Sequence, residues 1–175
     1  MKHATIFSAL ALFTFGCSRT PTSSSPSGHA DERYVQKVTC VNNLKQIGLA
    51  FRTWSADHHD KFPCNVSTNE GGGLELIALD KFGFDTNAVF YLKNMHGPEI
   101  LTVPLLLVCP QDSSKSAAVD WSNLGLENIS YKFTASYKII PDSKEILAVC
   151  PVDGYILYCD GTVLDKDGKT PKADH

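Results

Sequence analysis

One stretch constrains the fold of this chain more than any other. Between residues 31 and 59, Val38, Val41, Leu44, Gly48, Phe51 and Ser55 recur at spacings of three and four, and Ile47 and Trp54 flank the same line. That period belongs to an amphipathic helix with one face turned to a core. Gln36, Asn42, Asn43, Gln46 and Arg52 fill the opposite, polar side. Asp31 and Glu32 stand near the expected start, where the helix dipole favours negative charge. "DHHDKFP" closes the segment, and Pro63 bars continuation. Val38, Cys40 and Val41 are weak helix formers, so this helix depends on whatever covers its apolar face.

The rest of the chain supplies that cover in short pieces. Residues 64–73 are loop-like and end in three glycines at 71–73. "LELIAL" (74–79) predicts a short strand. "NAVFYLKNM" (87–95) predicts a short helix capped by Thr86 or Asn87. "VPLLLVC" (103–109) predicts a buried strand ended by Pro110, "QDSSKSAA" a loop, and Trp121 a lid on the core from a short turn. From Ile129 to Ile140, Tyr131, Phe133, Ala135 and Tyr137 alternate with Lys132, Thr134, Ser136 and Lys138, as in a half-buried strand. "EILAVC" (145–150) and "YILYC" (155–159) follow, separated by Asp153-Gly154, and Asp160-Gly161 leads into "TVL". Asp-Gly between apolar runs signals hairpins with type I′ turns, which need positive φ at both central residues. One long helix, a short extra helix and an antiparallel sheet of about four strands make an α+β domain over residues 31–165, with a polar tail at 166–175.

Before the domain, Lys2 precedes an apolar run from Ala4 to Phe15. The run is shorter than the ~20 residues that span a bilayer and suits an export signal over residues 1–16. Gly16-Cys17 then resembles the lipobox of bacterial lipoproteins, although Thr14 and Phe15 depart from its preferred residues. The resemblance implies a lipid on Cys17 and anchorage at the cell envelope, facing the periplasm or the cell surface. "SRTPTSSSPSGHA" has almost nothing to bury and predicts a flexible tether over residues 17–30. The net charge of −3, with no cluster of Lys or Arg, gives no footprint for nucleic acid.

Cys40, Cys64, Cys109, Cys150 and Cys159 remain, an odd number. Outside the cytoplasm a disulfide among them is expected, with at most two formed. No C-x-x-C occurs, so neither a redox pair of that kind nor a zinc ribbon is expected, and a Cys/His metal site is not expected either. "LLVCPQD" and "LAVCPVD" resemble each other and read as two strands ended by proline. His58-His59 reads as a solvated pair at the helix end.

Three stretches together carry a family resemblance. "CVNNLKQIGLAFRTWSADHHDKFP", "LLVCPQDSSK" and "GYILYCDGTV" resemble the spine helix, a middle strand end and the C-terminal hairpin of type II secretion pseudopilins and related pilin-like proteins. The likeness spans roughly residues 34–165. It implies a pilin-like fold and a non-enzymatic module whose partners are other pseudopilins or secretion components. Two features depart from the family. The prepilin leader and its apolar stalk are missing, and Cys150 stands where one branch carries a His ten residues before the Asp-Gly. The resemblance also implies a calcium loop, for which Asp160, Asp165 and Asp167 are the candidate carboxylates. The alternative is a small-ligand or calcium-binding envelope lipoprotein that reuses the fold.

No catalytic residue is assigned. Gly-x-Ser-x-Gly and His-Glu-x-x-His do not occur. A pair of Cys64 or Cys109 with His96 has nothing in the sequence to orient it, and Asp57 and Asp60 lie at a helix end.

Overall fold

The computed structural model describes residues 27–171, apart from Glu99, Tyr137 and Ile139, with side chains from residue 31 onward. The export signal, Cys17 and the tether up to residue 26 lie outside the described residues. Helix α1 runs Ser27–Ala56 and α2 runs Val89–Asn94. Strands β1 (Lys132–Phe133), β2 (Ile146–Val149), β3 (Ile156–Tyr158) and β4 (Val163–Leu164) form one antiparallel sheet in the order β1-β2-β3-β4. The architecture is α+β, with the long helix laid on a four-stranded meander. Among the described residues, no helix is long and apolar enough to cross a membrane.

α1 buries Val41, Leu44, Ile47, Phe51, Trp54 and Ser55 of the predicted stripe, together with Cys40 and Ala50, while Val38 is only half-buried. Phe51 sits at its centre. Its ring stacks on Phe133 of β1 at 5.8 Å and meets Phe62 and Tyr91 edge-on at 5.5 and 6.1 Å. One aromatic ring thus joins the helix to the sheet, to α2 and to the loop after the helix. Each such pair contributes about 0.5–1.5 kcal/mol beyond area burial. Gly48 faces the sheet where the elements come closest. A Cβ there would stand 2.9 Å from Leu157 Cδ1 and 3.2 Å from the Gly161 Cα.

The helix differs from expectation at both ends. It begins at Ser27, so residues 27–30, assigned to the tether by composition, belong to α1. Asp31 and Glu32 therefore lie beyond the first turn, which contains no acidic residue. At the far end α1 stops at Ala56 rather than residue 59, because His59 and Asp60 adopt left-handed φ of 57° and 59°. His58 is half-buried rather than solvated. Its ring stacks on Trp54 at 3.4 Å, and Nδ1 lies 2.8 Å from the Trp54 carbonyl, one of the acceptors that a helix end leaves open. Asn43, placed on the polar side, is buried.

Two predicted strands are single helical turns. Residues 74–79 form a 3-10 turn at Leu74–Leu76, and only Leu79 makes a bridge, to Asp85. Residues 103–109 form a 3-10 turn at Pro104–Leu107 that packs on α1. Pro104 opens that turn with φ already set and no N–H for a ladder. The alternation expected from Ile129 to Ile140 is seen only at its centre, with Tyr131 and Phe133 inside and Lys132 outside; Ile129 and Ser130 are both buried, Thr134, Ala135 and Ser136 are all half-buried, and only Lys132–Phe133 pairs as strand. Neither Thr86 nor Asn87 caps α2. Both reach back across the chain, Thr86 Oγ1 donating to the Ala78 carbonyl at 2.8 Å and Asn87 Nδ2 to that of Leu76 at 2.8 Å.

Both Asp-Gly turns exist, yet neither is type I′. Gly154 and Gly161 have φ of 74° and 87°, while Asp153 and Asp160 stay at negative φ. In the second hairpin the Gly161 N–H donates to the Tyr158 carbonyl at 2.9 Å, and Tyr158 N–H to that of Thr162 at 2.9 Å. This is a turn followed by a left-handed glycine, the pattern of a three-residue loop with a bulge. Arg52 of α1 clamps it, donating from Nη1 to the Asp160 carbonyl at 2.7 Å. The tail also folds back. Asp165 and Lys169 close a turn (Asp165 N–H to the Lys169 carbonyl, 2.8 Å), and Pro171 lines a groove with Tyr34 and Lys37 of α1.

Two outcomes follow for stability. Gly48→Leu overpacks the helix–sheet contact and lowers unfolding free energy by about 1–3 kcal/mol in a denaturant melt. Acid is the second. Glu75 is held down to about 2, first by the Thr68 backbone N–H. Asp80, Asp112, Asp120, Asp142 and Glu145 are lowered too, led respectively by bonds from Phe84 N–H, Ser114, Ser122, Lys144 N–H and Ser136. A carboxylate lowered in the fold contributes stability above its unfolded pKa of about 4, and that contribution is lost as pH falls through the folded value. The melting temperature therefore drops progressively below about pH 4. A profile flat from neutral pH down to 2 would contradict the assignment.

Candidate functional site

Among the side chains that the fold brings together in its interior are three cysteines. Cys40 comes from the first buried turn of α1, Cys109 follows the Pro104–Leu107 turn, and Cys150 follows β2. All three are fully buried. With the half-buried Asp153, their ligand atoms lie within 4.8 Å of one another. The Cys40 thiol donates to Cys150 Sγ at 3.4 Å, and the Cys109 thiol to Asp153 Oδ2 at 3.3 Å.

Local chemistry fixes each member. Asn43, one turn beyond Cys40, donates from Nδ2 to the Val108 carbonyl at 3.1 Å and so docks α1 on the segment carrying Cys109. Tyr131 O–H points at Cys40 Sγ from 3.6 Å. Each of the two Cys-Pro sequences opens a turn. After Cys109, the chain turns so that Asp112 N–H meets the Cys109 carbonyl at 2.9 Å, and the Gln111 N–H faces the sulfur. After Cys150, Gly154 N–H meets the Cys150 carbonyl at 2.9 Å, and Asp153 N–H faces the sulfur at 3.5 Å. Backbone N–H groups aimed at sulfur favour the thiolate.

The protons divide accordingly. Bonds received from Cys109 and Cys40 hold Cys150 well below the ordinary thiol range. Cys40 is pushed far up by its bonds to Cys109 and Cys150 and by burial, and Cys109 is pushed up chiefly by its bond with Cys150. Cys64 and Cys159 differ. Burial pushes Cys64 up to about 11 and Cys159 up to about 12, as for inert core thiols.

All five of these cysteines are free thiols here, and the expected disulfide is not among the bonds of this structure. The calcium candidates are not gathered either. Asp160 Oδ1 accepts the Thr162 N–H at 2.7 Å, and Asp165 Oδ1 accepts those of Asp167 and Lys169, both at 2.9 Å. These carboxylates close their own turns. Asp165 and Asp167 instead border an open groove of about 380 Å³, together with Lys37, Asp153 and Lys166. His96 does not approach a thiol cluster; its Nδ1 contacts the Lys93 carbonyl and its ring stacks on Trp121 at 5.8 Å.

The thiol cluster was concealed by sequence distance. Cys40 lies 110 positions from Cys150, and no C-x-x-C marks the site. The one available signal was the repeat of Val-Cys-Pro, each followed within three residues of the cysteine by an aspartate, Asp112 and Asp153. No family model, curated protein or solved structure matches the chain. The fold and the site define an α+β domain with a buried three-thiol cluster at the junction of helix and sheet.

Asn43 tests how that junction is held. Asn43→Ala leaves the Val108 carbonyl without its donor and costs about 1–3 kcal/mol in equilibrium unfolding, well above a surface substitution.

Proposed function

We propose that this chain is a non-enzymatic, lipid-anchored module of the cell envelope, related to the pilin-like subunits of type II secretion or pilus systems and working by protein–protein contact. One observation carries the reading: a long helix whose buried stripe lies on a four-stranded antiparallel meander, while Asp31, Glu32, Arg33, Val35 and Lys37 on its leading turns are exposed. In a pilin-like subunit that leading half would continue into an apolar stalk. Here the Ser/Pro-rich stretch and Cys17 stand in its place, which favours an accessory held at a membrane by lipid over a fibre subunit. Two acyl chains on one cysteine give stable anchoring, since each buried CH₂ contributes about 0.8 kcal/mol.

Metabolic labelling with palmitate tests the anchor. Label enters the wild-type chain and disappears in Cys17→Ala, which moves to the soluble fraction. Label that persists in the variant rules the anchor out. Crosslinking in the native cell tests the partner class: pseudopilins or secretion components copurify. Recovery of this chain alone, at native expression, counts against it.

A further inference from the structure

We propose that Cys40, Cys109, Cys150 and Asp153 form a four-coordinate site for a thiophilic divalent cation of the zinc class, which fastens α1 to the sheet. The site stands independently of the envelope reading.

The geometry suits the ion. Tetrahedral coordination with Zn–S bonds of about 2.3 Å places sulfurs about 3.8 Å apart. The observed spacing brackets that value, with Cys40 and Cys150 at 3.4 Å and the whole set within 4.8 Å. Small rotations about the Cα–Cβ bonds close the remaining difference. Three sulfurs and a carboxylate oxygen complete a closed set, the pattern of a structural centre.

A disulfide explains the cluster less well. It would join two of the sulfurs and leave the third buried beside the bridge, with the half-buried Asp153 next to it, for no purpose. An apolar core would serve equally well at the junction, yet three separate elements each deliver a cysteine there. The surroundings are also those of a metal thiolate. Both Cys-Pro turns aim backbone N–H groups at sulfur, and Tyr131 O–H reaches Cys40. Such outer groups orient metal ligands and disperse their charge. Asp153 forms part of the wall of the open groove, which provides an entry path, and Lys37 and Lys166 on the same groove offset negative charge.

Binding is a deprotonation. Each sulfur that still carries a proton releases it to solvent as a lone pair on that sulfur forms the bond to the cation, and Asp153 binds as carboxylate. No electrons are transferred and no oxidant is needed. The bound ion also removes the thiols from oxidation.

The test uses the full chain, purified under reductant, stripped of metal and titrated with Co²⁺ as a spectroscopic probe. The expected result is one Co²⁺ per chain, with intense thiolate-to-metal charge transfer in the near ultraviolet and the strong visible bands of tetrahedral coordination. Zn²⁺ displaces Co²⁺ and raises the melting temperature. Charge transfer falls in Cys109→Ser and persists in the Cys17→Ser/Cys64→Ser/Cys159→Ser triple variant. Asp153→Asn retains charge transfer but shifts the visible bands, a readout that does not need a cysteine variant to fold. Absence of charge transfer in the folded wild-type chain overturns the proposal. So does a Cys40–Cys150 disulfide found by mass spectrometry in protein isolated from cells without reductant.

Discussion

The helix stripe from Cys40 to Trp54 is the surface on which every other part of the domain is assembled. No remaining element is large enough to hold a core by itself. β1 and β4 are two residues long, and α2 spans six. Each gains its burial by facing α1 or a side chain that α1 supplies. Phe51 shows the dependence most directly, because a single ring touches the sheet through Phe133, α2 through Tyr91, and the exit loop through Phe62. The close approach at Gly48 lets the helix settle on Leu157 and the Gly161 turn, and Arg52 secures that turn from the outside. Removal of helix packing would leave a set of short turns with too little buried surface to oppose chain entropy.

The elements with strong periodicity were readable from sequence and the short ones were not. The α1 stripe, the β2 to β4 meander and the α+β arrangement follow from spacings of three, four and two, which the core enforces. Pro104–Leu107 and Leu74–Leu76 were misread because a short apolar run has no period of its own. Burial of Leu106 and Leu107 looks the same in a strand as in a helical turn. The helix ends were misread for another reason. Composition marked residues 27–30 as tether, but a helix already nucleated by a long packed segment extends at small cost per residue. Its C-terminus depends on His58 folding back onto Trp54, a contact with no sequence signature. The type I′ turns failed at Asp153 and Asp160, where the glycine alone takes the left-handed conformation and the loops are longer than two residues.

The site was legible only in pieces. Each cysteine could be placed on an element, and the similarity of the two Val-Cys-Pro-x-Asp-like segments could be seen. Their convergence could not, because it depends on α1 crossing the end of β2 while Asn43 holds the Cys109 segment in place. Carboxylates at 160, 165 and 167 drew attention by type and spacing. In the structure those of Asp160 and Asp165 satisfy nearby backbone N–H groups, the commoner fate of aspartates in turns, and Asp167 supplies one of those N–H groups.

The strand order has a kinetic consequence. Strands adjacent in space are adjacent in sequence, so the meander can pair through short connections at low loop-closure cost. α1 is different, because its partners lie up to 110 positions away. The slow event in folding is therefore the docking of a helix that cannot persist alone onto a sheet that forms locally. Residues that stabilise the docked helix will govern the refolding rate to the extent that docking is already under way at the barrier, while residues within the meander turns will govern how quickly the platform appears.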